Sequence, residues 1–419
     1  MNDIESIRKF VNHNELLYRA DVFLTPLSPN QGLGVLNGAE WKANKKFCMS
    51  MLRDLGFADT SLEGRLMKEY CKLSDRIGEA NGNPVFIFSD ILAAASNNIA
   101  SFFYASNEPE EAWRKDMNQM LGMINAVIIK AGFLQFLPQF VRRLFQYIPF
   151  TVAGKVRTIM VNLEDIIMKQ NQKFLTERSR ESEENFIQAY MKKIDEANHD
   201  PRAVFQYRFL VGNITAFILA GTFNTTITLL FHLLNFAAHR DTIQARVQKE
   251  IDEVIGLRRL PTWQDRKDMP FTLACVWEMN RWQTAAPLGL PRVAVDDIVV
   301  DGVFIPKHTV VLFNIWAVHN DPASWEEPHL FKPSRFLNED GSIMDQKPPE
   351  LIPFSLGRRS CPGEMFASIE IFLLITLLLQ RYDVVLDQPL KGDLSDPNAA
   401  FALLGQTKLR FMPRNVNKA

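Results

Sequence analysis

A cysteine set among glycines and arginines, in the run Phe354-Ser355-Leu356-Gly357-Arg358-Arg359-Ser360-Cys361-Pro362-Gly363, offers the most specific chemistry in this 419-residue chain. Pro362 directly after Cys361 favours the first turn of a helix, so the thiol lies at a helix N-terminus. Unpaired backbone N–H groups and the helix dipole there favour a thiolate. Gly357 and Gly363 let a flat ligand approach the backbone, and Arg359 supplies a cation for a carboxylate. These residue types suit an anionic sulfur ligand beneath a planar, carboxylate-bearing cofactor. A lone cysteine would read as an inert buried thiol capping a helix. Five specified positions are another matter: at about one in twenty each, a chance match in a chain of this length is on the order of one in ten thousand.

The elements that must position this segment can be read on either side of it. Glu364 to Gln380 is apolar all round, as a buried helix is, but too short and too interrupted by Glu370 to span a bilayer. Phe205 to Phe236 is a second, longer run of the same kind, with Gly221, Thr222, Asn224, Thr225 and Thr226 at its middle. Polar groups and a glycine inside a buried helix mark a ligand or a local distortion. Residues 292–313 switch to short β-branched runs joined at Asp301-Gly302 and Pro306-Lys307, which predicts a small β-subdomain. Residues 319–353 are rich in proline and charge with little periodicity, a long functional loop. Trp41 to Leu55 reads as a basic amphipathic helix, whose alternative is a merely solvated charged face. Met120 to Val152, broken by Pro138 and Pro149, reads either as two core helices and a turn or as a hairpin dipping into a membrane surface beside Arg142 and Arg143. The charged stretch from Lys169 to Val204 predicts a solvent-facing helix and a surface loop.

Composition limits the function classes. Hydrophobic residues make up 47% and charged residues 23%, which excludes disorder as the main state. Lys+Arg 47 against Asp+Glu 48 leaves a net charge of −1, so there is no basic field to attract nucleic acid. Cys48, Cys71, Cys275 and Cys361 are too widely separated for a zinc or redox pair. The N-terminus carries no signal peptide or spanning run. An apolar fraction with 31 Phe against 7 Tyr suits a dry interior or a greasy cavity.

The Cys361 segment closely resembles the haem-binding loop of the cytochrome P-450 superfamily, F-x-x-G-x-R-x-C-x-G. Three more matches follow in the family's chain order. Glu278-Met279-Asn280-Arg281 resembles the E-x-x-R of the K helix. Pro333-Ser334-Arg335-Phe336 resembles the later P-x-R-F, whose arginine completes a buried structural triad with Glu278 and Arg281. Ala220-Gly221-Thr222-Phe223-Asn224-Thr225-Thr226 resembles A-G-x-(D/E)-T-T of the central I helix, here within 205–236. The likeness covers nearly the whole chain from Trp41 onward and is greatest to the microsomal animal clan.

This resemblance implies a mainly α, P-450 fold with a small β-subdomain, one domain over 1–419, lacking the N-terminal anchor and the first helices and strands. It makes Cys361 the iron ligand of haem b. Trp41 and Lys45 correspond to the family's W-x-x-x-R; Lys keeps the charge but loses the bidentate fork. Arg292 and Arg359 fall where other propionate arginines sit, and Gly221, Phe354, Gly357 and Gly363 complete the expected cofactor contacts. The implied activity is monooxygenation, in which thiolate donation favours O–O cleavage and oxygen insertion into a C–H bond. O2 and NADPH would be consumed, with electrons from NADPH-cytochrome P-450 reductase and cytochrome b5 as a second donor. Lys42, Lys45, Lys46, Arg53 and Arg358 would form a basic docking face. By the same resemblance Phe217, Ala285, Leu288 and Phe401 line a pocket for a steroid, fatty acid or xenobiotic, and the enzyme works at the cytoplasmic face of the endoplasmic reticulum membrane.

The sequence departs from the family at proton delivery. Phe223 replaces the acid and Asn224 the alcohol, leaving Thr222, Asn224 and Thr225 as relay candidates. Asn224 can hydrogen-bond but cannot titrate. Two alternatives therefore stay open: a haem-thiolate isomerase or lyase that consumes a hydroperoxide without a reductase, and a non-catalytic haem- or lipid-binding relic.

Overall fold

The computed structural model describes residues 1–20, 30–54, 60–104, 111–131, 139–177, 185–197, 200, 202–404 and 406–414. Helices dominate, in the order α1 (Ile4–Phe10), α2 (Gly38–Asp54), α3 (Thr60–Glu79), α4 (Phe88–Tyr104), α5 (Glu111–Ala131), α6 (Gln139–Phe145), α7 (Val152–Glu177), α8 (Phe186–Glu196), α9 (Tyr207–Ala238), α10 (Ala245–Val254), α11 (Pro270–Trp282), α12 (Ile315–His319), α13 (Glu364–Arg381) and α14 (Pro397–Leu404). Seven short strands accompany them: β1 (Tyr18–Arg19), β2 (Arg292–Val293), β3 (Ile298–Val300), β4 (Val303–Ile305), β5 (Val310–Val311), β6 (Tyr382–Leu386) and β7 (Leu409–Pro413). The expected mainly α fold with a small β part is what the described residues show. Leu55 and Pro138 lie outside the described residues, as do the side chains of Arg142, Arg143 and Phe401.

α9 runs through the centre and packs on α4, α13, α7 and α8. It is long and apolar enough to cross a membrane by composition alone. Its burial among the other helices accounts for that composition instead, because a helix covered on most faces has no need of a polar one. α13 is the second central helix, with Ile371 through Gln380 buried without interruption.

Within the segment expected to face solvent between Lys169 and Val204, α8 turns one face inward. Phe186, Ile187, Ala189, Tyr190 and Ile194 of α8 are buried at helical spacing, and Tyr190 donates a hydrogen bond to Asn44 of α2. The charged residues around them conceal an apolar stripe of only five positions.

In the β-subdomain, β1, β2 and β5 form one antiparallel sheet with Arg19 opposite Arg292. β3 and β4 form a hairpin, turned by Asp301 and Gly302 at φ 50° and 75° as the Asp-Gly pair predicts.

A buried ion network ties α11 to the long loop before Cys361. Glu278 and Arg281 have fully buried side chains and meet at 2.7 Å and 2.8 Å, and Arg335 reaches Glu278 at 3.1 Å. Arg281 also donates to the carbonyls of His319, Pro328 and Leu330. These bonds fix a loop that has little regular structure of its own. Arg281→Met should therefore cost about 3–5 kcal/mol by leaving Glu278 under-compensated in the core. The urea midpoint should fall with an unchanged slope, whereas removing the exposed Lys249–Glu253 pair should shift stability by at most about 1 kcal/mol.

Candidate functional site

The loop before α13 turns sharply at Ser355 and Gly357, with φ of 60° and 73°. A side chain at Gly357 would also meet Asn12 Oδ1 at 2.5 Å, so this glycine is needed both for its backbone angle and for close packing on the end of α1. The Cys361 N–H donates to the Phe354 carbonyl at 2.9 Å, and the Gly363 N–H points at Sγ from 3.3 Å. Cys361 is exposed. Burial by the surrounding protein nevertheless pushes its thiol pKa up, with Gly363 opposing and Glu364 adding to the rise. Burial thus opposes the helix terminus expected to favour a thiolate.

Four cations gather beside this loop. Arg359 donates to the carbonyls of Leu17 (2.8 Å) and Leu36 (2.7 Å) and stacks on Trp41 at 3.8 Å. Arg292 donates to the Val11 carbonyl at 2.7 Å and lies over Phe313. Arg19 bonds the Leu290 carbonyl at 2.6 Å and reaches the Arg359 carbonyl at 3.5 Å, and its buried Nε has no partner. Lys45, one helical turn after Trp41, donates to the Arg358 carbonyl and sits 5.5 Å from the Trp41 ring.

Among the described residues, none of these four forms an ion pair with a carboxylate. Burial lowers all their pKa values, first for each: Arg19 to about 9, with Arg292 and Arg359 adding repulsion; Arg359 to about 9, helped by Arg292; Arg292 to about 10; and Lys45 downward, with Arg359 contributing. Like charges buried at Arg292 and Arg359 and partly buried at Arg19 and Lys45, held by backbone carbonyls and by Asn37 Oδ1, suit an anion from outside the chain. A haem with two propionates fits that charge and those donors, and the exposed thiol beside them fits its iron.

The other motif candidates lie on α9. From Phe209 to Ala237 its side chains are buried or half-buried, except Ala220 and Asn224. These lie one turn apart on one face and leave a gap in the packing. Asn224 Nδ2 donates back to the Ala220 carbonyl at 3.0 Å, leaving its amide oxygen available. Thr222 and Thr225 are buried and off this face, and the Thr222 hydroxyl has no partner. Gly221 lies against α4, where a side chain would meet Ile99 Cδ1 at 2.6 Å. Phe217 is half-buried and packs on Phe103; Ala285 is half-buried and Leu288 exposed after α11.

Three residues of this neighbourhood carry no readable motif. Arg19 sits on a two-residue strand, and only its register against Arg292 reveals it. His319 accepts the Ile352 N–H at Nε2 (2.9 Å) and meets Thr284 through Nδ1 (2.7 Å), pinning the approach to the ligand loop; burial takes its pKa to about 3. Glu370 lies fully buried in α13.

Comparison with known proteins gives the family. The cytochrome P450 family profile matches residues 1–411. Cytochrome P450 2U1 of Bos taurus is 30% identical over 401 residues, covering 93% of this chain and 72% of that protein. Human cytochrome P450 2U1 is 31% identical over 381 residues, with 91% and 68% covered. Human cytochrome P450 2J2 is 32% identical over 355 residues, with 84% and 69% covered. With a thiol at the loop, four unpaired cations beside it and a family match along almost its whole length, this chain belongs to the cytochrome P450 family of haem-dependent monooxygenases.

Proposed function

We propose that this protein inserts one oxygen atom from O2 into a lipophilic small molecule, a steroid, fatty acid or xenobiotic, with NADPH electrons delivered by NADPH-cytochrome P-450 reductase or cytochrome b5. The observation that carries this reading is the exposed Cys361 beside four buried or partly buried cations that pair with no carboxylate among the described residues. Haem bound there would supply O2 activation and C–H oxidation, chemistry that no side chain performs.

The chain's own residues do the remaining work. Arg19, Lys45, Arg292 and Arg359 would hold the carboxylates, with Trp41 as an apolar brace between Lys45 and Arg359. Cys361 would supply a sulfur ligand to the iron, and the Gly363 N–H donates to that sulfur. Ala220 and Asn224 face the open side, and the apolar Phe217, Ala285 and Leu288 favour a greasy substrate. Phe401 belongs to the same proposal.

Two surfaces support the partners. Lys42, Lys46, Arg53 and Arg358 are exposed near the thiolate loop, a basic face for an acidic electron donor. Phe140, Leu144, Tyr147 and Phe150 are 75%, 63%, 67% and 81% exposed in and just after α6, which suits contact with the endoplasmic reticulum membrane on its cytoplasmic side. A second reading, hydroperoxide isomerisation or cleavage, is favoured by Asn224, whose amide cannot supply a proton.

The reduced carbon-monoxide complex should show a thiolate-type Soret band that Cys361→Ser abolishes; its absence in the native chain would leave only a non-catalytic relic. Product formation should require NADPH and reductase, and rapid donor-free turnover of a fatty acid hydroperoxide would decide for the second reading. Arg19→Met should weaken haem binding about 10- to 100-fold, as loss of a charged hydrogen bond implies. The same change should leave the haem-free chain equally or more stable in thermal unfolding, because it removes a buried repulsion.

A further inference from the structure

The contacts of His319 fix where its proton sits. It ends α12, is fully buried, and meets a partner through each ring nitrogen. Nε2 lies 2.9 Å from the backbone N of Ile352, a group that only donates, so this nitrogen must present a lone pair. The ring proton therefore sits on Nδ1, which lies 2.7 Å from Thr284 Oγ1. Thr284 in turn uses its own hydrogen on the carbonyls of Asn280 at 3.0 Å and Arg281 at 3.3 Å. Every donor in this series faces an acceptor, and only the neutral Nδ1–H tautomer closes it. An imidazolium would set Nε2–H against the Ile352 N–H. Burial, with Arg281 adding repulsion, takes the pKa to about 3 and keeps the ring neutral.

The two ends of this series belong to different parts of the molecule. Asn280 and Arg281 lie on α11, and Arg281 Nη1 also donates to the His319 carbonyl at 2.8 Å. The ring and its backbone are thus both fixed to the network of Glu278, Arg281 and Arg335. Ile352 opens the approach to Cys361. Its carbonyl accepts the Ser355 N–H at 2.9 Å, closing a turn that contains Phe354, and the Phe354 carbonyl accepts the Cys361 N–H at 2.9 Å. One imidazole and one turn therefore connect the buried ion network to the cysteine backbone.

We propose that His319 is a positioning residue for the Cys361 sulfur, its Nδ1–H tautomer pinning the Ile352 turn to α11 so that the cysteine backbone is held in place beside the cation cluster. No proton or electron is transferred; the ring acts through its two hydrogen bonds. Without it the buried Ile352 N–H has no acceptor, which costs free energy whenever the turn is closed. The turn would then open more often, and the sulfur would be lost as a ligand while the four cations keep their hold on the carboxylates.

The inference rests on the reading that Cys361 binds haem iron, but its first test does not. Nitrogen-15 histidine NMR of the haem-free full chain at pH 7 should give a protonated Nδ1 and an unprotonated Nε2 for the signal that His319→Gln removes; a proton on Nε2 overturns the proposal. In the same chain His319→Leu should speed amide exchange at Ile352 and Cys361 about tenfold, as the loss of one buried hydrogen bond implies, with the amides of α9 unchanged. In the reduced carbon-monoxide complex it should hasten decay of the thiolate-type Soret band by about the same factor while the haem stays bound. His319→Gln, which offers Ile352 an acceptor oxygen, should restore most of that lifetime. Equal lifetimes in the native chain and His319→Leu, or loss of haem in step with the band, overturns the proposal. Thr284→Val decides even if His319→Leu fails to fold: it removes only the acceptor of Nδ1–H and should speed Ile352 exchange several-fold, and unchanged exchange there overturns the tautomer lock. A native chain with the expected tautomer but no thiolate-type band would sink the haem-thiolate reading instead.

Discussion

Gathering four positive side chains in one cluster, two buried and two partly buried, with no carboxylate partner among the described residues, is the constraint on which the rest of this structure depends. Each ion loses hydration that carbonyl dipoles only partly replace, and each repels its neighbours in a medium that screens poorly. The chain supplies carbonyl acceptors from Val11, Leu17, Leu36, Leu290 and Arg358. It supplies aromatic faces from Trp41 and Phe313 as well. Among the described residues no carboxylate joins them, which under the proposed reading leaves the place to a dianionic cofactor.

The fold can be understood as the apparatus that gathers these charges and the sulfur from distant parts of the sequence. Arg19 and Arg292 are brought face to face by strand pairing, Lys45 by α2, and Arg359 by the turn at Gly357. The network of Glu278, Arg281 and Arg335 is the contrasting case: its charges are compensated within the protein, so it serves to lock a long loop and needs no ligand. Glu370 is a third solution to the same problem. With Tyr70 and Asn98 as its hydrogen-bond donors, it has its pKa raised by burial to about 8.

The parts of this arrangement legible in the sequence were those tied to a local pattern. Cys361 and its glycines, Glu278 with Arg281, and the Asp301-Gly302 turn are set by short-range spacing, as is the unbroken apolar run of α9. Arg19 was invisible because its role comes from strand register, and nothing in a two-residue strand announces a partner 273 positions away. Glu370 read as an interruption of an apolar helix, since sequence does not show that Tyr70 and Asn98 come to meet it. The stripe of α8 was hidden by its charged neighbours. The upward shift of the Cys361 thiol was missed because a helix N-terminus is visible in sequence while the surrounding burial is not.

The central claim, that the cation cluster exists to bind two carboxylates, is tested most directly by titrating the haem-free chain with haem and with haem dimethyl ester, which keeps the ring and the iron but removes both negative charges. Haem should bind tightly and raise the unfolding temperature, and the ester should bind at least about 100-fold more weakly, as expected when two charged contacts are lost. Equal affinity and equal stabilisation by the two would contradict it.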